Sequence, residues 1–84
     1  MDRTKLLVFF HAEASEIAER DLGHATEDTL IADLGLDSLS VLELVGSLER
    51  ELALELPTEA LDGVETIGQL FDVIEARAPH ARAS

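Results

Sequence analysis

Gly35-Leu36-Asp37-Ser38-Leu39 is the stretch from which the fold of this chain can be predicted, because an amphipathic segment follows it directly. Apolar residues recur there at i, i+3, i+4, i+7 and i+11, the spacing that places side chains on one face of an α-helix. These residues are Val41, Leu44, Val45, Leu48 and Leu52. We therefore predict a helix over residues 38–52 that packs this face into a hydrophobic core.

Asp37 and Ser38 stand at the start of the predicted helix. Both residue types are frequent N-caps, because their side-chain oxygens accept hydrogen bonds from the free N–H groups of the first turn. The hydroxyl of Ser38 is then expected at the surface, where N–H donors and the positive end of the helix dipole favour a phosphate ester. The alternative is that Ser38 only caps the helix and is never modified.

The rest of the chain shows helical periodicity and no pattern of paired strands. We predict an all-α fold, an antiparallel four-helix bundle with three longer helices and one short helix. The helices are expected at residues 5–21, 38–52 and 58–62, and from Thr66 to Pro79. Gly23 is the expected stop of the first helix, and Thr66 with Gln69 fits a capping box that opens the last. The whole chain, residues 1–84, is expected to be one domain with a core over about residues 5–77 and loose termini.

Two apolar groups complete the predicted core. The first helix has a stripe of Leu7, Phe10, Ala14 and Ile17, and the last has Ile67, Leu70, Phe71 and Ile74. The connection over residues 24–37 is too apolar for a free loop and is expected to be pinned across the bundle. Its apolar residues are Leu30, Ile31, Leu34 and Leu36.

The net charge of −12 is concentrated in one part of the chain. Residues 27–75 hold 13 acids and one base, Arg50, which gives 1 − 13 = −12, whereas the remaining residues hold five of each sign. This charge argues against binding to nucleic acid or to an anionic membrane, since both need lysine and arginine. It favours basic protein partners, with a merely solubilising surface as the alternative.

Several classes of site find no support in the sequence. The chain has no cysteine, and its three histidines, His11, His24 and His80, are scattered, so no metal site is expected. No G-x-S-x-G elbow surrounds a serine, so no enzyme activity is predicted. The N-terminal apolar run over residues 6–10 is shorter than a signal-peptide core requires. We expect a cytoplasmic monomer.

The segment from Leu34 to Leu39, with Glu43-Leu44-Val45 downstream, resembles the modification site of acyl carrier proteins. In that family the serine is esterified by 4′-phosphopantetheine, whose thiol carries acyl groups as thioesters. The resemblance spans residues 22–77. It implies that Ser38 receives the group from coenzyme A and that Asp37 helps to present Ser38 to a Mg²⁺-dependent phosphopantetheinyl transferase.

A second face of the predicted helix 38–52 carries an apolar pair with acidic neighbours, which resembles the surface that carrier proteins offer to their enzymes. The expected docking residues are Leu39, Leu42, Glu43, Gly46 and Glu49. The alternative is that exposed leucines are simply common on protein surfaces. Arg50, where the family commonly has an acid, reverses part of this electrostatic footprint, and Gly46 replaces a larger residue. Both departures place recognition by general fatty-acid-synthesis enzymes in doubt.

The resemblance also implies an apolar region between helices that can open to shelter an acyl chain. The residues expected there are Leu44, Leu48, Leu61, Val64, Ile67, Leu70 and Phe71. The alternative is that these residues form only the core.

Taken with the resemblance, the sequence predicts a freestanding acyl carrier protein. Its expected partners are the phosphopantetheinyl transferase and a ketosynthase, acyltransferase or other synthase enzyme with a basic docking patch. Polyketide or other secondary metabolism is favoured over fatty acid synthesis. An aminoacyl or aryl carrier is the first alternative, ranked lower because such carriers more often read Gly-Gly-x-Ser. A helical interaction module that is never modified is the second.

Overall fold

The computed structural model describes residues 2–77, and within them the chain forms three α-helices and two short 3₁₀ helices. The α-helices are α1 (Arg3–Ala18), α2 (Ser38–Leu52) and α3 (Ile67–Arg77), and the 3₁₀ helices are Ile31–Leu34 and Thr58–Leu61. Residues 2–77 contain no strand, and one isolated antiparallel bridge joins Leu30 to Thr66. The all-α prediction is confirmed. The predicted end of the last helix before Pro79 and the predicted loose C-terminal tail lie outside the described residues.

The short helix predicted at residues 58–62 is present, and it is a single 3₁₀ turn, Thr58–Leu61. Pro57 precedes it in extended conformation, and no side chain caps its first N–H groups. One uncapped turn gains too few hydrogen bonds to offset the cost of nucleating an α-helix. The bundle therefore consists of three α-helices and a 3₁₀ connection between α2 and α3.

The predicted bounds of α1 were wrong at both ends. The helix starts earlier because Asp2 caps it, accepting a hydrogen bond from the Thr4 N–H at 2.8 Å. It stops at Ala18 because Glu19 adopts a left-handed conformation with φ of 58°. The hydroxyl of Ser15 then accepts from the N–H of Leu22 at 2.8 Å, which holds the departing chain against the helix end. Gly23 is therefore not the residue that ends α1.

The core fills the space between the three α-helices. Phe10 of α1 and Phe71 of α3 meet edge to face, with ring centroids 5.9 Å apart and planes at 76°, a preferred geometry for aromatic pairs. The buried residues are Leu6, Phe10, Ala14, Leu22, Ala25, Leu34, Leu44, Val45, Leu48, Leu56, Ile67, Leu70, Phe71 and Ile74. The predicted stripes of α2 and α3 are therefore confirmed, with Val41 and Leu52 at the half-buried edge of the core. In α1, Phe10 and Ala14 are buried as predicted, whereas Leu7 and Ile17 of the predicted stripe are half-buried and Leu6, outside that stripe, is buried.

The loop between α1 and α2 is pinned through its backbone as well as through its apolar side chains. The first N–H groups of α3 are satisfied by loop carbonyls, since Ile67 donates to Thr29 at 3.1 Å and Gly68 to Glu27 at 2.8 Å. Leu34 is buried, but Leu30 is 42% exposed, so Leu30 does not anchor the loop as predicted. The loop crosses the start of α3 and is fastened there.

The predicted capping box at the start of α3 is confirmed. The Gln69 N–H donates to the Thr66 hydroxyl at 3.1 Å, and the Gln69 side-chain oxygen accepts from the Thr66 N–H at 3.0 Å. These reciprocal bonds satisfy N–H groups that have no partner within the helix.

Arg3 is the centre of a polar cluster that sequence reasoning missed, because the first four residues were expected to be frayed. Its guanidinium forms ion pairs with Glu27 of the loop and with Asp72 and Glu75 of α3, at 2.5, 3.0 and 3.0 Å. It also lies 5.5 Å from the centre of the Phe71 ring. The cluster ties the start of α1 to the loop and to α3, so the bundle is closed at this end.

Candidate functional site

Ser38 is the first residue of α2, and its side chain is exposed. The N-cap is Asp37, whose carboxylate accepts from the Ser40 N–H at 2.8 Å. The carbonyl of Asp37 accepts the first intrahelical bond, from the Val41 N–H at 3.0 Å. The cap function is therefore filled by the residue before Ser38, and Ser38 itself is exposed at the helix N-terminus.

The chain reaches this position through a sharp turn. Gly35 adopts a left-handed conformation with φ of 74° at the end of the first 3₁₀ helix, a conformation that glycine takes at little cost. A side chain at this position would also meet the guanidinium of Arg20, which donates to the carbonyl of Leu34. Buried Leu34 and half-buried Leu36 fasten the turn to the core. The apolar residues before Ser38 thus anchor the loop, and the serine follows where the anchoring ends.

Asp37 remains a carboxylate at neutral pH. Hydrogen bonds from the Ser40 backbone N–H, then from the Ser40 hydroxyl and the Leu39 N–H, hold the pKa of the Asp37 carboxyl below its usual value. These bonds stabilise the charged form, as the positive end of the helix dipole also does. The site therefore presents a neutral hydroxyl beside a fixed negative charge.

Four of the five predicted docking residues lie on the outer face of α2. Leu39 and Leu42 are 68% and 63% exposed and lie close together on this face. Glu43 is exposed beside them, and Gly46 lies one turn further along. The structure therefore brings an apolar pair, an acid and a glycine together next to Ser38.

Glu49 is placed differently from the other predicted docking residues. Its carboxylate turns towards the connection after α2 and accepts a hydrogen bond from the Leu56 N–H at 2.7 Å. The side chain is half-buried. Glu49 thus holds the residues that follow α2, and its charge is partly engaged within the chain.

Arg50 shares the outer face of α2 with Leu39 and Gly46. Its guanidinium lies over the bare backbone of Gly46, where a methyl group would be 3.6 Å from Nη1 of Arg50. The same guanidinium donates to the Ser47 hydroxyl at 3.3 Å. An exposed positive group therefore stands on this face, at the position where the sequence departs from the acidic pattern of the family.

An apolar cavity of about 430 Å³ opens between α2, the first loop and the second 3₁₀ helix. Cavities of roughly 300–1,000 Å³ are typical of small-molecule sites. The lining residues are Leu30, Ile31, Ala32, Val41, Leu44, Val45, Leu61, Val64, Glu65 and Leu70. Of the seven residues predicted for an acyl pocket, four line it.

The other three, Leu48, Ile67 and Phe71, are fully buried in the core and do not line the cavity. Their helical stripe could not distinguish a core position from a cavity wall. The loop residues Leu30, Ile31 and Ala32 were missed, because their side of the cavity is formed only when the loop is fastened across α3.

Other kinds of site find no residues in the described part of the chain. No group of three or more His, Cys, Asp or Glu side chains within residues 2–77 is arranged to hold a metal ion. Over the same residues, no helix has the length and apolar character needed to cross a membrane.

Comparison with protein families identifies the class. The family model described as "Phosphopantetheine attachment site" matches residues 10–74. The chain therefore belongs to the phosphopantetheine-binding acyl carrier protein family. Proteins of this family are carriers rather than enzymes and hold 4′-phosphopantetheine covalently, so the predicted family, cofactor and non-enzymatic class are confirmed.

Individual relatives agree with this assignment. The acyl carrier protein of Clostridium perfringens is 46% identical over 48 residues, which is 57% of this chain and 63% of that protein. The acyl carrier protein of Prochlorococcus marinus is 47% identical over 45 residues, 54% of this chain and 56% of that protein. The matched part thus spans less than two thirds of the length of either relative.

Solved structures extend the likeness to nearly the whole chain. The crystal structure of the Thermotoga maritima acyl carrier protein superposes with a TM-score of 0.83 at 31% identity, covering 96% of this chain and 95% of that one. The solution structure of the oxytetracycline acyl carrier protein gives a TM-score of 0.71 at 30% identity, covering 89% and 83%. The fold predicted from the sequence is that of this family.

Proposed function

We propose that Ser38 is the residue that carries 4′-phosphopantetheine and that the chain delivers acyl or polyketide intermediates to synthase enzymes as thioesters. The observation that carries this proposal is the exposure of Ser38 at the capped start of α2. Among the serines of residues 2–77, Ser38 is the one that is exposed. Ser15 accepts from Leu22, and Ser47 accepts from Arg50.

The proposed modification forms one bond and breaks one. The hydroxyl oxygen of Ser38 bonds to the pantetheine phosphorus of coenzyme A, its proton passes to a base of the transferase, and adenosine 3′,5′-bisphosphate leaves. This chain contributes the position of the Ser38 hydroxyl, which Asp37 fixes by capping α2. It also contributes the positive end of the helix dipole, which favours a phosphodiester at that place. The attached group supplies the thiol on which thioesters form.

The experiment is incubation of the protein with coenzyme A and a promiscuous phosphopantetheinyl transferase, followed by intact-mass measurement. We expect the mass to rise by one phosphopantetheine in the wild type and in the matched control Ser40→Ala, and to stay unchanged in Ser38→Ala. An unmodified wild type would favour the interaction-module alternative. A modified Ser38→Ala variant would refute the site.

We further propose that the enzymes dock on the outer face of α2 through Leu39, Leu42, Glu43 and Gly46. The exposure of both leucines next to the attachment point supports this, since apolar side chains left exposed beside a functional residue are typical of an interaction site. The acidic charge of residues 27–75 would attract basic patches over a distance. Glu49 contributes at most its remaining oxygen, because the other binds the Leu56 N–H.

A role in polyketide or other secondary metabolism is the finer part of the proposal. It is supported by the likeness to the oxytetracycline acyl carrier protein and by the presence of Arg50 on the docking face. Loading of the apo protein from malonyl-coenzyme A and acetyl-coenzyme A, followed by elongation with ketosynthases of either pathway, would test it. Faster elongation by a fatty-acid ketosynthase than by a polyketide ketosynthase would contradict it.

The cavity between α2 and the first loop is our proposed shelter for an attached acyl chain. Its lining is apolar apart from Glu65, and it borders the 3₁₀ turn Thr58–Leu61, in which no residue is fully buried. An element with few buried contacts opens at low free-energy cost. The acyl chain would enter beside this turn and replace solvent against Leu44 and Val64.

A further inference from the structure

Arg50 is the base that stands alone in the acidic part of this chain, and its position on α2 is specific. It follows Leu39 by eleven residues and Gly46 by four, so all three lie along one line of the helix surface. That line is opposite the buried stripe of Leu44 and Leu48. Arg50 therefore points outward from the same face that carries the exposed leucines.

The sequence around Arg50 places no acidic residue where it could form an ion pair with Arg50 within the helix. On a helix, a charged residue pairs with residues three or four positions away. Those positions hold Gly46, Ser47, Ala53 and Leu54, none of them acidic. The acids of α2, which are Glu43, Glu49 and Glu51, lie seven or one position away.

The structure agrees with this spacing. Within residues 2–77 the ion pairs formed by arginine side chains all belong to Arg3, and Arg50 has only its hydrogen bond to the Ser47 hydroxyl. Gly46 removes the side chain that would otherwise occupy the space beneath the guanidinium. The planar donor group is thus free on its outer side, in the geometry that binds a carboxylate through two N–H groups.

The surroundings of Arg50 define the rest of the partner surface. The groove beside it, between α1 and α2, is lined by Glu13, Glu16, Glu43 and Leu42 among others. A partner surface must therefore be basic around the rim and must offer one acid at the position of Arg50. A patch made only of Lys and Arg would leave two like charges facing each other there.

We propose that Arg50 is a specificity residue of the docking face, which receives a carboxylate of the synthase enzyme and selects against enzymes whose docking patch is wholly basic. This inference rests on the function proposed above. The occupant is a folded enzyme surface in which one Asp or Glu stands among Lys and Arg.

The test uses a ketosynthase from fatty acid synthesis whose docking patch holds only Lys and Arg. Each carrier variant receives, through the transferase, a pantetheine whose thiol is replaced by a thiol-reactive electrophile, and the rate of cross-linking to the active-site cysteine is measured. We expect Arg50→Glu to cross-link about three- to tenfold faster than the wild type at low salt, because a repulsive pair becomes attractive. The difference should shrink in 0.5 M salt, which is roughly three times the physiological ionic strength of about 0.15 M.

Arg77→Glu is the matched control, since it makes the same charge change on α3 and should leave the rate at the wild-type value. The reciprocal arm replaces each basic residue of the ketosynthase patch by Glu in turn. One replacement should make the wild-type carrier faster and Arg50→Glu slower. Thermal unfolding of both carrier variants establishes that they are folded.

The inference is overturned if Arg50→Glu is no faster than the wild type with the wholly basic enzyme, or if no replacement in the enzyme favours the wild-type carrier. Failure of the function itself has a different signature. The electrophilic pantetheine would then not attach to Ser38, and the mass of the carrier would not change before any ketosynthase is added.

Discussion

The carboxylate of Asp37 accepts a hydrogen bond from the backbone N–H of Ser40 at 2.8 Å, so the residue before the proposed attachment point fixes the start of α2. Replacement by alanine leaves that N–H without its cap, and we expect Asp37→Ala to lower the midpoint of thermal unfolding by a few degrees. We also expect slower phosphopantetheinylation, because Ser38 loses its fixed position. Circular dichroism and intact-mass time courses measure the two effects.

Asp37 further predicts a specific dependence on pH. Its pKa is lowered in the folded protein, so its contribution is present above the unfolded pKa of about 4 and is lost as the pH falls through the folded value. Asp37→Asn keeps a capping oxygen but cannot titrate. We expect the wild type to be more stable than Asp37→Asn at pH 7 and this difference in stability to shrink as the pH falls below about 4. Parallel pH curves would show that the carboxylate does not stabilise the fold.

Arg3 predicts a dependence of stability on salt. Its three ion pairs join α1, the loop and α3, and surface ion pairs weaken as salt rises. We expect Arg3→Gln to unfold at a lower temperature than the wild type at low salt. The difference between the two unfolding midpoints should become smaller at high salt. Lys5→Gln removes the same charge from an exposed residue without an ion pair among residues 2–77, and should have little effect. If the unfolding midpoint falls equally in both variants, Arg3 acts only through its contribution to the net charge and not through its ion pairs.

Arg3 also affects acid stability through Glu27. The hydrogen bond from Arg3 lowers the pKa of the Glu27 carboxyl, so the stabilising contribution exists above the ordinary Glu pKa and disappears as the pH falls through the lowered value. The free energy of unfolding of Arg3→Gln should therefore fall less than that of the wild type as the pH is lowered. Denaturant unfolding at several pH values from about 3 to about 7 measures this difference in stability, because the ordinary carboxyl pKa values lie within that range.

Two helical glycines predict opposite responses to alanine. A methyl group at Gly46 would make an ordinary contact of 3.6 Å with the Arg50 side chain, whereas one at Gly68 would lie 3.0 Å from the backbone oxygen of Glu27. We expect Gly46→Ala to stabilise the protein by about 0.5–1 kcal/mol through helix propensity. Gly68→Ala should destabilise it by about 1–3 kcal/mol, because the loop must move away from α3. Urea unfolding compares the two, and stabilisation by both would show that the loop is loosely held.

The exposed leucines predict a loss of docking without a loss of stability. Leu42→Ala should change the free energy of unfolding by less than about 0.5 kcal/mol, since the side chain is largely in solvent. The rate of ketosynthase elongation with the acylated carrier should fall by about fivefold or more, because a buried contact with the enzyme is lost. Val8→Ala is the control, as Val8 is equally exposed at 63% but lies on α1. Equal rates for both variants would place the docking surface elsewhere.

The cavity predicts that a long acyl chain stabilises the carrier. Each methylene transferred from water into the cavity contributes about 0.8 kcal/mol, so the octanoyl form should unfold at a higher temperature than the acetyl form. Val64→Phe narrows the cavity and should abolish the difference, whereas Val73→Phe, at a half-buried valine outside the cavity lining, should retain it. Equal unfolding temperatures for the wild-type octanoyl and acetyl forms would contradict sequestration.

The helices that carry a regular apolar stripe could be predicted from the sequence with little error. The bounds of α2 and the capping box of α3 were obtained from spacing and side-chain chemistry, because both depend on neighbours within one or two turns. The bounds of α1 could not be obtained in this way. Its ends depend on the Asp2 cap and on the bond between Ser15 and the Leu22 N–H, which competes with continued helix.

The amino-acid sequence by itself determined α2 with its buried stripe and its outer face, because both follow from local periodicity and residue type, and the resemblance around Ser38 indicated the family. Only the tertiary structure decided that Arg3 closes the bundle, that Glu49 turns to the Leu56 N–H, and which apolar residues line the cavity. These features join groups far apart along the chain, or a helix to the loop after it. Their free energy arises only when the elements pack, so no local pattern in the sequence records them.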